Sequence, residues 1–221
     1  MKTKFSQRYG VSRRKVLHGL AAGTTACLVP SHKVWAAETS FPTPTQTEGP
    51  FYPRSFPDDI DANLLQFGDN EQLGQGRHIQ VFGRVFDVYG EVVSGATVEL
   101  WQCDRFGTYH HSRGTGRIDQ NFQGFGRTSA NRDGEYLFQT IKPAPYTGRT
   151  PHIHFKVKAK GFRTLTTQMY FADENELNGR DGIYWSLTKS ERKNVTALSS
   201  TLQLSTGPIE ACQFDIVIAA T

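Results

Sequence analysis

Between Pro143 and Phe155 the chain reads Pro-Ala-Pro-Tyr146-Thr-Gly-Arg149-Thr-Pro-His152-Ile-His154-Phe, so a phenol, a guanidinium and two imidazoles fall within nine residues. From His152 to Lys158 polar and apolar residues take turns, the pattern of a half-buried strand. Residues two apart share one face of a strand. Ile153, Phe155 and Val157 are therefore expected to enter a core, while both imidazoles look out side by side from the other face. That arrangement suits the grip of a single metal ion. Alone it is a weak signal, because two solvated or packed imidazoles satisfy the same pattern.

Other residues join the pair. Tyr146 precedes His152 by six positions, a tether of roughly 20 Å when extended, ample for both side chains to reach one ion. Upstream, Trp101-Gln-Cys-Asp-Arg-Phe-Gly-Thr-Tyr109 ends a strand and enters a loop, where functional groups are commonly displayed. The structural alternatives are a packed aromatic for Tyr109 and a ring capping a proline turn for Tyr146. His110 and His111 follow Tyr109 directly. Adjacent side chains of an extended segment diverge, so both are read as outlying or solvated.

Stepping outward, residues 37–77 form a Pro-, Thr- and Asp-rich extended arm as far as Phe67, and residues 78–221 form one domain. Strand patterns begin at His78 and recur at Ala96–Gln102, Glu135–Thr140, His152–Lys158, Leu165–Phe171 and Cys212–Ile218. Turn signals lie at Tyr89-Gly90 and Asp133-Gly134. One short helix is expected near Ser190–Leu202. Short strands joined by long loops argue for an all-β fold, a two-sheet sandwich or barrel.

Residues 1–36 are set apart. Ser12-Arg13-Arg14-Lys15-Val16-Leu17 resembles a twin-arginine export signal, with small residues around Ala36 for cleavage. The apolar run from Val16 to Val29 is shorter than the roughly 20 residues of a membrane span. This segment holds seven of the 25 Lys and Arg residues and no acid, so the remainder carries 18 bases against 21 acids, a net charge of −3. Nothing basic is left to favour nucleic acid, and a periplasmic or extracellular protein is expected. Cys103 and Cys212 remain; export permits a disulfide between them, while two buried thiols are the expected state.

Several ordered segments resemble the intradiol ring-cleavage dioxygenases, the catechol, hydroxyquinol and protocatechuate enzymes. They are Thr45-Gln-Thr-Glu-Gly-Pro-Phe-Tyr-Pro53, Trp101 to Tyr109, Ile141-Lys-Pro-Ala-Pro-Tyr146, Pro151-His-Ile-His-Phe155 and Gln168-Met-Tyr-Phe171. The resemblance implies non-haem ferric iron held by Tyr109, Tyr146, His152 and His154. It implies dioxygen insertion between the two hydroxyl-bearing carbons of a catechol, giving a muconate-type diacid. Tyr146 is the ligand implied to leave on substrate chelation and to take up a substrate proton. Arg149 and Gln168 match residues beside the reacting ring, and Thr47, Gly49, Pro50 and Phe51 match an arm lining the pocket. In some relatives a neighbouring chain supplies that wall, so the partners implied are a small aromatic diol, dioxygen and a second copy in a homo-oligomer. Two phenolates suit a hard trivalent ion, whereas zinc would take Cys, His and carboxylate.

The chain also departs from that pattern. Only five residues separate Tyr146 from His152, where better-known relatives carry a longer insertion, so a more open mouth and substituted catechols are expected. The arm lacks helical periodicity, which places the layout nearest the protocatechuate-type subunit. One rival is a non-catalytic transthyretin-like sandwich that binds aromatics. Another, a cupin-like oxygenase, wants a carboxylate shortly after the second histidine, and Phe155 to Phe162 holds none.

Overall fold

The computed structural model of the chain describes residues 41–57 and 59–221. The export-signal expectation for residues 1–36 falls outside the described residues. Among the described residues, no helix is long and apolar enough to cross a membrane.

Alternation drives the strands. His78–Asp87 (β1) buries Ile79, Val81, Gly83 and Val85 and leaves Gln80, Phe82 and Arg84 between them partly exposed. Thr97–Trp101 (β2), Phe125–Ser129 (β3), Glu135–Ile141 (β4), His152–Lys158 (β5) and Leu165–Phe171 (β6) follow. Next come Thr196–Leu204 (β7), Gly207–Gln213 (β8) and Ile216–Ile218 (β9). The described residues build a nine-stranded sheet in the order β3-β2-β5-β6-β7-β8-β1-β4, with β9 continuing beside β1.

Two features fold that sheet into a sandwich. The parallel join of β6 to β7 pairs only Tyr170 with Thr196 and Phe171 with Ala197. This narrow seam divides the path into two four-stranded halves. The outermost strands, β3 and β4, are consecutive in sequence, and Asn131 and Gly134 tie the turn between them by a 3.1 Å backbone hydrogen bond. The path therefore curls back on itself, as the all-β expectation requires. Phe155 on β5 sits between the halves, its ring 5.1 Å from Phe214 and 6.1 Å from Tyr136. Burying such a ring contributes about 2–3 kcal/mol.

The expected helix near Ser190–Leu202 is shorter and earlier, at Lys189–Val195 (α3). Thr188 caps it through a reciprocal box with Glu191, satisfying first-turn N–H groups. Beyond Val195 the chain turns to strand, because Leu198 through Leu204 pair in register with Gln213 back to Gly207. Two shorter helices, Asn175–Asn178 (α1) and Gly182–Ser186 (α2), follow β6. The expected final strand is broken at Phe214–Asp215 into β8 and β9, both parallel to β1.

The arm from Phe41 has no strand or helix among its described residues, yet it is pinned. Gln46 Nε2 donates to Thr167 Oγ1 and to the Gln168 carbonyl, while its Oε1 accepts from Tyr170 Oη. Cys103 and Cys212 are both free and buried, so no disulfide links them. Burial pushes the Cys103 thiol up to about 12, which makes it unreactive.

Candidate functional site

Strand β5 carries His152 and His154 on one face, opposite Ile153, Phe155 and Val157. Both imidazoles are only 1–2% exposed, so the outward-looking face is covered rather than open to solvent. The cover is a second, aromatic cluster of Trp101, Tyr109 and Phe125, with Phe51, Tyr52 and Tyr146 packed against it. The two imidazole centroids lie 5.0 Å apart.

Tyr109 reaches this point from a loop braced by Asp104. Asp104 Oδ1 accepts from the N–H groups of Phe106 and Thr108, and its Oδ2 accepts from Asp119 N. Tyr146 arrives from the other side on a four-residue turn. Arg149 N donates to the Tyr146 carbonyl at 2.8 Å, and Gly148 occupies the third position with φ 75°, a conformation that favours glycine. The short tether thus places the phenol and the guanidinium at the two ends of one tight turn.

Both phenol oxygens converge on one atom. Tyr109 Oη and Tyr146 Oη each lie 3.3 Å from His152 Nε2. His152 Nδ1 is 2.7 Å from the Thr150 carbonyl, which fixes Nδ1 as the protonated nitrogen and leaves Nε2 with its lone pair. That lone pair has room for one hydroxyl, not two. His154 Nδ1 is buried without a hydrogen-bond partner.

Electrostatics keep the site neutral. Burial, followed by the charge of Arg149, pushes His152 down to about 4. Burial, then His152 and Arg149, holds His154 well below its usual value. Burial raises both Tyr109 and Tyr146 above the ordinary phenol range. Both imidazoles therefore offer lone pairs, and the phenols stay protonated unless a cation is present. Among the described residues, no three His, Cys, Asp or Glu side chains converge as a metal cluster. The two imidazoles have phenols as companions instead.

The remaining expected residues gather here too. Arg149 donates from Nε to Asp181 Oδ2 at 2.8 Å and from its terminal nitrogen to Gln168 Oε1 at 2.5 Å. Gln168 Nε2 donates to the Thr47 carbonyl at 3.0 Å, which ties the arm to the guanidinium. Phe51 stacks on Tyr109 with centroids 4.4 Å apart. A side chain at Gly49 would come within 3.7 Å of the His154 ring, while Pro50 lies exposed in the turn between them. His110 and His111 stay outside, facing Phe122 and Phe51 respectively.

Sequence reasoning missed Asp181. Its place as the N-cap of α2, after Arg180 and before Gly182, was visible as capping chemistry. Its partnership with a residue 32 positions away was not.

A family model described as Dioxygenase matches residues 47–220. The chain is 34% identical over 170 residues to the protocatechuate 3,4-dioxygenase beta chain of Burkholderia cepacia, covering 72% of this chain and 70% of that one. It is 32% identical over 193 residues to a hydroxyquinol 1,2-dioxygenase of Nocardioides simplex, covering 77% and 62%. Among solved structures, one similar chain is the dioxygenase domain of a dioxygenase carbohydrate-binding protein fusion from Streptomyces sp. SirexAA-E. The match has a TM-score of 0.60 and 28% identity, over 82% of this chain and all of that one. An intradiol ring-cleavage dioxygenase from Tetranychus urticae shares the fold at 22% identity, with a TM-score of 0.63 over 81% of this chain and 95% of that one. With the ordered motifs, the sandwich and the phenol–imidazole cluster all in one chain, this protein belongs to the intradiol ring-cleavage dioxygenase family of oxygen-incorporating enzymes.

Proposed function

We propose that this chain is a ferric, non-haem dioxygenase that opens a catechol-type ring between its two hydroxyl-bearing carbons, yielding a muconate-type diacid. The observation that carries the reading is the convergence of Tyr109 Oη and Tyr146 Oη on His152 Nε2. Two hydroxyls compete there for one lone pair, and His154 Nδ1 lies buried without a partner. A cation among Tyr109, Tyr146, His152 and His154 relieves that crowding. Two phenolates match a hard trivalent ion better than a divalent one. Ionising a tyrosine at pH 7 costs about 4 kcal/mol, an amount that a highly charged ion at bonding distance supplies.

When bound, iron supplies Lewis acidity and a template that holds the diol. The protein does the rest. Tyr109 is buried against Phe51 and stays fixed. Tyr146 is only partly buried on its turn, so it is the phenol free to swing aside and take a substrate proton at Oη. Arg149 presents a fixed cation beside the ring, where negative charge develops as dioxygen attacks. Phe51, stacked on Tyr109, helps to wall off water.

The five-residue interval between Tyr146 and His152 supports a mouth open enough for substituted catechols. The likeness to a dioxygenase domain from a cellulolytic bacterium agrees with plant-derived aromatics as substrates. Export by the twin-arginine segment and assembly with further copies complete the reading.

The test is direct. Purified protein grown with iron should contain one iron per chain, show a red-brown band that shifts on adding catechol, and consume one dioxygen per ring opened. A colourless, iron-free protein from the same culture would overturn the assignment.

A further inference from the structure

We infer that Asp181 is the positioning residue of this site: one buried carboxylate fixes both the Arg149 guanidinium and the backbone that orients His152. The inference rests on the dioxygenase reading for what Arg149 does, though not for the contacts themselves.

Asp181 is 1% exposed and its carboxylate is shared between two segments. Oδ1 accepts from the N–H groups of Ile183 and Tyr184 at 2.9 and 3.1 Å, capping α2. Oδ2 accepts from Arg149 Nε at 2.8 Å and from Thr150 N at 3.0 Å. The carbonyl of that same Thr150 receives the proton of His152 Nδ1. A single oxygen therefore anchors the guanidinium and, one peptide further, the group that sets the tautomer of His152. The partner of a metal-bound histidine's outer nitrogen commonly decides its orientation.

A second tie runs in parallel. Thr150 Oγ1 donates to Asn178 Oδ1 at 2.8 Å, and Asn178 Nδ2 donates to the Phe171 carbonyl. The segment from Asn178 to Tyr184 thus clamps residues 149–152 against the end of β6. Among the described residues, Asp181 and Gln168 hold the guanidinium by hydrogen bonds of 2.8 and 2.5 Å. Gln168 is neutral, whereas Asp181 also balances the guanidinium's charge. Removing it leaves a cation free to turn away from the ring, and a misplacement of about 1 Å costs a rate factor of up to about 100.

Asp181→Asn keeps an oxygen for capping α2, since Asn caps as well as Asp, but removes the charged acceptor. In the iron-loaded enzyme, with catechol as substrate, kcat should fall about 10- to 100-fold while KM changes less than about threefold. The same substitution in an Arg149→Met background should cost less than in the parent, because the guanidinium's share of the loss is already gone and only the share through Thr150 and His152 remains. Equal losses in both backgrounds, or an unchanged kcat in Asp181→Asn, would overturn the inference. Urea unfolding of the same four proteins without metal provides a readout independent of turnover. Coupling of Asp181 and Arg149 should appear as about a tenfold or larger interaction in the unfolding constant, and its absence would also overturn the inference. If no variant or parent turned over catechol but the coupling persisted, the proposed reaction would fail while the clamp stood.

Discussion

Trp101 lies flat against the imidazole of His154, with ring centroids 4.8 Å apart and planes inclined by 12°. The two are direct cross-strand partners of β2 and β5, so register alone brings the indole under the imidazole. Tyr52 meets the same indole edge-on at 5.0 Å. An indole this well buried should make Trp101→Ala costly, about 3–5 kcal/mol in urea unfolding. If His154 holds iron as proposed, loss of this platform should weaken iron retention about tenfold in a competition with a chelator. Trp101→Phe keeps a stacked ring and should fall between the two. Iron retention as tight as the parent's in Trp101→Ala would show that the stack packs the core without orienting the histidine.

In the proposed reaction, Tyr146 is the phenol that leaves and takes a proton. Tyr146→Phe should shift and weaken the visible band and lower kcat by about 100-fold or more. The fold should survive, because the hydroxyl's contact is with His152 inside the site and the turn is held by backbone bonds to Arg149. Circular dichroism and iron content should stay close to the parent's. An unchanged band and rate would remove Tyr146 from the set of ligands.

Glu99 ties the arm to the sheet. Its carboxylate is 1% exposed and accepts from Tyr52 Oη at 2.8 Å, from Arg127 at 2.7 and 3.0 Å, and from Lys158 at 3.1 and 3.2 Å. Burial pushes its pKa up, but hydrogen bonds from Tyr52, Lys158 and Arg127 outweigh that and hold it below 4.5. A carboxyl lowered in the folded state adds stability that is complete above its unfolded value. That stability is lost as pH falls from about 4.5 through the folded value. Glu99→Gln should therefore cost about 2 kcal/mol at pH 7 and flatten the fall in urea midpoint below pH 4.5. A midpoint that falls with acid as steeply as the parent's would place the acid sensitivity elsewhere.

His152–Lys158 was legible because it alternates from end to end. Leu165–Phe171 does not alternate, and its threonines and aromatics marked it as strand instead. That Tyr109, Tyr146, His152 and His154 come together was expected from the ordered family motifs, since a packed ring accounts for each tyrosine taken singly. Less visible was Thr196–Leu204, whose run of Ser and Thr has one buried residue, Ala197. Pairing with β8 decides its conformation, and nothing local announces that partner. Burial of the histidines was equally hidden, since their lid is an aromatic cluster assembled from the arm, β2 and two loops. Asp181 was out of reach for the same reason: a cap is a local signal, whereas a clamp across 32 residues is not.

The break between β8 and β9 depends on Gly83. There Phe214 and Asp215 leave the ladder against β1, between the Phe82↔Gln213 pair of β8 and the Val85↔Ile216 pair of β9. The Phe214 carbonyl accepts from Tyr136 Oη, and Asp215 Oδ1 accepts from Arg84 N at 2.9 Å. A Cβ built on Gly83 would stand 2.0 Å from the Phe214 oxygen and 2.6 Å from its carbon. Both are backbone atoms, so no side chain can yield by rotating. Gly83→Ala must push β1 away from Phe214, and it should cost about 3 kcal/mol or more, the upper end for overpacking. Gly182 supplies the contrast, because a Cβ there meets nothing within 4 Å. Gly182→Ala lies in α2 and should be neutral or stabilising by up to about 1 kcal/mol. Urea unfolding of the two metal-free variants separates these outcomes. Gly83→Ala as stable as the parent would mean that the break tolerates a side chain and that some other contact interrupts the final strand.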